Sequence, residues 1–295
     1  MTKTGLFVGL ITLDLVYLTA TYPNQNQKIV AADYAVTAGG PATNAAVTFS
    51  YFGNRTTLIC GLGNNPITHL IRADLDKYNV AIKDLDKNRD QPPPVSSIIT
   101  TQNTGDRAVI SINATKSQIS KQVIPPEIIN NIDIVLIDGH QMAASLEIAQ
   151  LAKSKNIPIV IDGGSWKTGF EEILPFVDYA ICSANFYPPS CENQEEVFAY
   201  LSDKNISDIA ITQGEKSIKY LSQGKFGNVE VPKINAVDTL GAGDIFHGAF
   251  CHYILNLEFT DALANATNIA AHSCQYFGTR QWMNNQPDQS NNLLN

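Results

Sequence analysis

The chain has 295 residues, with 20 Lys and Arg against 28 Asp and Glu, a formal net charge of -8 and only 16% charged residues. A protein that works by neutralising nucleic-acid phosphates wants a basic face, so that class is disfavoured, whereas an anionic small ligand held by a few local donors is not. The length suits either two ordinary domains or one large α/β domain, and no apolar stretch approaches the roughly 18 residues that a membrane helix needs.

The first apolar run, 6–11, reads as a buried strand: Asp14 interrupts it and no small-residue cleavage site follows a charged start, so it is not a secretion signal. Residues 13–36 then mix Thr, Val and Tyr with polar residues, as a strand-rich segment exposed on one face would. Small residues at 38–40 lead into a helix over 42–52, followed by a strand at 57–60 and a helix over 67–78. Residues 95–113 form a second extended segment, with a turn at Asn103-Thr104-Gly105-Asp106.

From there the pattern alternates strictly. Strands are expected at 134–137, 157–161, 179–182 and 209–212, and helices at 145–155, 194–202 and 243–254. Near-continuous apolar strands between helices mean a parallel sheet covered on both faces, hence a doubly wound α/β fold. The two extended segments break that alternation and are placed as an inserted β lid, 13–36 with 95–113, over a core of 1–12, 37–94 and 114–295. The lid belongs over the carboxyl ends of the sheet, where such folds bind ligands, and its exposed edge leads us to expect a homodimer through the lids. The tail from Asn284 onward is polar and low in complexity.

Cysteines at 60, 182, 191, 251 and 274 are odd in number and scattered, which fits a reducing cytosol and no zinc or redox pair. No nucleic-acid or membrane partner is expected.

The residues that carry chemistry lie near the end, in Asp238-Thr239-Leu240-Gly241-Ala242-Gly243-Asp244. Gly241, Ala242 and Gly243 let a turn approach an anion, and the helix that follows aims its first N–H groups at it. Asp244 falls in the first helical turn, where a carboxylate can take a proton from a hydroxyl that attacks a phosphoryl group. A glycine-rich helix start with a dipole-matched Asp is the plain alternative.

This stretch resembles the late signature of the ribokinase or PfkB family of carbohydrate and nucleoside kinases, and Gly39-Gly40-Pro41-Ala42-Thr43-Asn44 resembles its early one. The resemblance implies a ribokinase-like fold, ATP and Mg2+ as cofactors, and Asp244 as base beside an anion hole at 241–244. It further implies that Asp14, Gly39, Gly40 and Asn44 hold the sugar, Asn44 offering a donor and an acceptor. Thr212, Gly214 and Asn268 would border the nucleotide. Asp238 would buttress the anion-hole turn. The family's Asn-x-x-Glu metal motif is altered: Asn185 is followed by Pro188 where Glu is expected, which weakens or relocates the metal site.

Within the family the chain is most similar in flavour to ketohexokinases and sulfofructose kinases, so a ketohexose-like acceptor is expected. Lys28, Arg107, Asn113 and His140 are placed at its far end, where Lys28 and Asn113 would suit a phosphate or sulfonate. The alternatives are a nucleoside kinase, with Tyr17, Tyr22 and Tyr34 as a shelf for the base, and a non-catalytic sugar-binding or regulatory protein. No Gly-x-x-x-x-Gly-Lys-Ser/Thr is present, which excludes a P-loop enzyme. His247 and His252 lie five apart on the last expected helix and read as ordinary helix residues.

Overall fold

In the computed structural model, which describes residues 2–102, 104–112, 119 and 124–285, the first half of the chain forms β1 (Thr4–Val8), β2 (Thr12–Thr19), β3 (Asp33–Gly39), α1 (Pro41–Tyr51), β4 (Arg55–Cys60), α2 (Thr68–Lys77), β5 (Val80–Asp84), β6 (Val95–Thr101) and β7 (Arg107–Ser111). The second half forms β8 (Ile134–Ile137), α3 (Met142–Ser154), β9 (Ile159–Gly163), α4 (Phe170–Ile173), β10 (Tyr179–Ser183), α5 (Gln194–Ser202), β11 (Asp208–Gln213), β12 (Lys216–Ser222), β13 (Lys225–Val229), α6 (Ala242–Tyr253) and α7 (Phe259–Ser273).

Nine strands make one sheet in the order β13-β12-β11-β10-β9-β8-β1-β4-β5. From β11 to β5 all neighbours are parallel, and β12 and β13 close one edge as antiparallel hairpins. The parallel strands are apolar on both faces because both are covered. Phe7, Leu136, Val160, Ile181 and Ala210 point into a core shared with α1, α2, α6 and α7. Their chain neighbours Leu6, Val8, Ile137, Ile161, Cys182 and Ile209 point into a second core with α3, α4 and α5. This period of two across a central sheet is what a doubly wound fold requires. Among the described residues no helix is long and apolar enough to cross a membrane.

Helix α1 is pinned by Phe49, whose ring lies 5.4 Å from that of Phe7 in β1; burial of each ring contributes roughly 2–3 kcal/mol. Helix α6 packs on α1 through Gly248, where a Cβ would stand 2.3 Å from Ala45 O and 2.6 Å from Thr48 Cβ. Any larger residue there would drive the two helices apart. Their amino-terminal turns therefore meet at the carboxyl ends of the strands.

A second sheet has the order β3-β2-β6-β7, with β2 and β6 parallel and the outer pairs antiparallel. Strand alternation gives it two distinct faces. Val16, Ile98 and the partly buried Leu18 and Ala35 pack on Phe277 and Leu240, on the same face as Asp14. The opposite face carries Tyr17, Tyr34, Val36 and Ile110, which are 39%, 68%, 40% and 73% exposed. Tyr17 and Tyr34 are paired across β2 and β3, three residues out of phase with Asp14. They cannot serve as a shelf beside Asp14, and the expectation that they face a nucleoside base is corrected on that ground; Tyr22 is an exposed loop residue.

Candidate active site

Strand β2 carries Asp14 into the gap between the two sheets. Asp14 is buried and its Oδ1 accepts the Thr12 hydroxyl at 2.7 Å. Burial raises its pKa from the ordinary Asp value, against the opposing pull of the Thr12 and Ser96 hydroxyls and the Arg280 charge. Gly39, at the end of β3, lies flat against it: a Cβ there would meet Asp14 Oδ2 at 1.9 Å. Gly40, at φ 103°, turns the chain into α1. The early glycine pair thus opens a wall on which a ligand hydroxyl can reach a buried carboxylate.

Helix α6 begins at Gly241, φ 70°, and its first turn contains Asp244. Nothing stands within 4 Å of a Cβ built on Gly243, so the turn presents open backbone. Leu240 N and Gly278 N donate to Asp238 at 3.0 and 2.9 Å, and those bonds hold the turn from behind. Asn44, three residues into α1, donates through Nδ2 to Asp244 Oδ2 at 2.8 Å across 200 positions of sequence. Asp244 is pushed up to about 7, first by burial and then by the Asp162 charge, while the Asn44 bond and His247 pull it down. A carboxylate so poised accepts a proton far better than an ordinary Asp at neutral pH.

Three further groups complete the site. Asp138, just beyond β8, accepts Leu10 N, Ala42 N and His140 N at 2.9, 3.1 and 2.9 Å and so anchors the start of α1. Asp162, in β9, lies 3.6 Å from His247 Nδ1. His247 is buried, with Nδ1 at 2.7 Å from Gly243 O and Nε2 at 3.2 Å from Ile181 O. It is therefore no ordinary helix residue, since it ties the turn at Gly243 to strand β10. Arg280, 7% exposed, donates to Asn44 Oδ1 at 2.9 Å and to Ala38 O at 2.8 Å.

The structure brings Asp14, Gly39, Gly40, Asn44 and the turn 241–244 together. Asn44 offers less than expected, because Arg280 already donates to its oxygen and Asp244 accepts one of its two N–H groups. Arg107, the first residue of β7, donates through NH1 to Thr239 O at 2.7 Å, beside the late signature. Lys28 is exposed in the loop between β2 and β3, His140 is partly buried beside Asp138, and Asn113 lies outside the described residues. Thr212 lies one residue before the end of β11, where its hydroxyl donates to Cys182 O at 3.4 Å. Gly214, at φ 65°, makes the β11–β12 turn, and Asn268 is exposed on α7.

Asn185 is exposed just beyond β10. Among the described residues no group of three or more His, Cys, Asp or Glu side chains could hold a metal ion. The residues present do not form a protein cage for Mg2+, which binds largely through phosphates and its own waters.

Sequence reading missed Asp138, Asp162, His247 and Arg280. The two acids had a usable signal, since Ile-Asp-Gly follows an apolar run both at 137–139 and at 161–163. Arg280 had none, because its partners are distant in sequence.

Compared with known proteins, residues 4–286 match the model of the pfkB family carbohydrate kinases. The chain is 26% identical over 300 residues to a ribokinase of Lactococcus lactis, covering 96% of this chain and 94% of that one. It is 23% identical over 297 residues to a deoxyribokinase of Salmonella typhi, covering 92% and 93%. Among solved structures, a ribokinase of Thermotoga maritima superposes with a TM-score of 0.78 at 20% identity, covering 96% of each chain. The Arabidopsis thaliana ribokinase complexed with ribose and ATP gives 0.75 at 20% identity, covering 94% of each.

Proposed function

The chain belongs to the pfkB family of carbohydrate kinases, phosphotransferases with an alcohol acceptor, and from that membership we propose that it transfers the γ-phosphoryl group of ATP to a hydroxyl of a ketohexose-like sugar. In this reading Asp14, Gly39, Gly40 and Asn44 hold the sugar so that one hydroxyl reaches Asp244. Asp244 takes its proton as the oxygen attacks, and the open N–H groups at 241–244 stabilise the charge on the phosphoryl group in transit. The observation that carries the reading is Asp244 itself: a carboxylate pushed up to about 7, bonded to Asn44, at the start of a helix whose first turn is open backbone.

The nucleotide is assigned to the side of β11 and α7, with Thr212 and Gly214 toward its phosphates or ribose and Asn268 toward its base. Mg2+ would rest mainly on those phosphates, with Asn185 as a nearby polar group. Arg107 joins the small sheet to Thr239 of the anion-hole turn, which supports the small sheet, built from 13–36 and 95–113, as a lid whose closure would expel water. The apolar outer face of that sheet supports a second assignment, a homodimer in which two lids cover each other's Tyr17, Tyr34, Val36 and Ile110.

A pentose acceptor is the second reading, favoured by relatives that are named ribokinase and deoxyribokinase. The test is Mg-ATP turnover on fructose, ribose, fructose 6-phosphate, sulfofructose and adenosine, with Asp244→Asn protein alongside. Selective turnover of a ketohexose that Asp244→Asn abolishes supports the proposal. Preference for ribose replaces its acceptor, preference for adenosine makes the chain a nucleoside kinase, and full activity of Asp244→Asn refutes the base.

A further inference from the structure

We propose that Arg280 is a positioning residue for phosphoryl transfer: by donating to Asn44 Oδ1 it decides that the donor end of the Asn44 amide, and not its acceptor end, meets Asp244. The two ends of an Asn side chain are nearly equal in size, so packing alone does not choose between them. A guanidinium has only donors and therefore captures the oxygen. Arg280 NH1 lies 2.9 Å from Asn44 Oδ1, which leaves Nδ2 to donate to Asp244 Oδ2 at 2.8 Å. In the flipped amide two acceptors would face each other across that distance, with no hydrogen between them to share.

The guanidinium is held to this task from several sides. It is buried, its NH1 also donates to Thr279 Oγ1 at 3.0 Å, and its NH2 donates to Ala38 O at 2.8 Å. Asp74 of α2 accepts from NH2 at 3.4 Å and from Ala38 N at 3.0 Å, and the Tyr78 ring lies 5.5 Å away. Ala38 immediately precedes Gly39, which lies against Asp14. One cation thus links the wall that receives the acceptor to the residue that orients the base.

The inference rests on Asp244 being the base, and the experiment separates the two. The rate profile of kcat against pH is measured for Arg280→Gln, Arg280→Lys, Asn44→Ala and the double variant Asn44→Ala with Arg280→Gln, with Asp244→Asn in parallel. Asp244 also faces Asp162 from β9, Asp138 from beyond β8 and His247 one turn along α6, and none of these changes; Asp14, which the Arg280 charge pulls down, does change with Arg280→Gln, so the Asn44→Ala background is what assigns a moved profile to the amide. Arg280→Gln should lower kcat about fivefold at pH 7, leave KM for ATP unchanged, and move the acidic limb up by about one unit, so that the loss shrinks by pH 9. Arg280→Lys, which keeps the charge without the fork, should fall between. With Asn44→Ala already present, Arg280→Gln should move the limb no further.

A loss that is equal at every pH, or that adds fully to Asn44→Ala, overturns the proposal and leaves Arg280 a structural residue. Should Arg280→Gln fail to fold, Asp74→Asn keeps an acceptor for Ala38 N while loosening Arg280; it should move the limb in the same direction by less, and an unmoved limb is equally fatal. Turnover surviving in Asp244→Asn overturns the base assignment, whereas a dead Asp244→Asn beside an unmoved Arg280→Gln limb overturns only the role of Arg280.

Discussion

The enzyme should become more stable when Asp244, the proposed base, is neutralised. Asp244 is raised from an ordinary 3.8 to about 7 by burial and by the charge of Asp162, so between those values the folded protein holds a proton that the unfolded chain has released. Folding stability must then fall as pH rises through that window: the penalty is absent below about pH 4, grows to about pH 7 and is constant above. Three pH units at about 1.4 kcal/mol each set a ceiling of roughly 4 kcal/mol. Asp244 is only partly buried, so water screens part of this, and Asn in its place keeps a weaker, uncharged bond to Asn44. About half the ceiling, ~2 kcal/mol, is therefore expected from Asp244→Asn at pH 8. For a chain of this size that is a rise of about 4 °C in Tm. Thermal unfolding followed by circular dichroism at pH 8 and pH 4.5, without ligands, measures it. A gain at pH 8 that shrinks to about a quarter at pH 4.5, in a variant without turnover, is the expected result. An equal gain at both values, or a loss at pH 8, would refute the electrostatic account of Asp244.

Gly39→Ala places a Cβ 1.9 Å from Asp14 Oδ2, so kcat/KM for the acceptor should drop about a hundredfold while KM for ATP stays within a factor of about two; an unchanged acceptor KM would remove Asp14 from the sugar site. Arg107→Gln loses the bond to Thr239 O and should lower kcat about tenfold without moving Tm, because Arg107 is exposed. A drop in Tm with kcat intact would make that contact a mere brace. Light scattering of the parent protein should give a dimer, and Tyr34→Asp with Ile110→Asp a monomer; a monomeric parent at micromolar concentration ends the lid-dimer proposal.

What could be read from the sequence follows how local each signal is. The parallel strands announced themselves because both their faces are buried, and runs such as Ile134–Ile137 have no polar residue to interrupt them. Strands β5 and β13 at the two edges and β12 beside one of them did not, because Lys83, Lys216 and Lys225 mix polar residues into short segments. The end of the first lid segment was also misjudged: β3 continues to Gly39, so the residue that touches Asp14 belongs to the small sheet itself. The early and late signatures were legible because a glycine turn and a helix start are each written in consecutive residues. His247 and Arg280 escaped because their meaning lies in Ile181, Asp162, Asn44 and Ala38, which only the folded chain brings within reach.

The arrangement of carboxylates suits Asp244 to the role of base proposed for it. Asp138 is committed to three backbone N–H groups, one of them at the start of α1, and Asp162 faces the His247 ring. Each is thereby occupied in holding the scaffold. Asp244 sits between them with one side-chain donor, Asn44, and absorbs their repulsion as a raised pKa. Removing either neighbouring charge would ease that repulsion and make Asp244 a weaker base, even though neither neighbour need touch the acceptor. The site thus obtains a proton acceptor near neutrality from acids that also fasten the helix and the strand on either side of it.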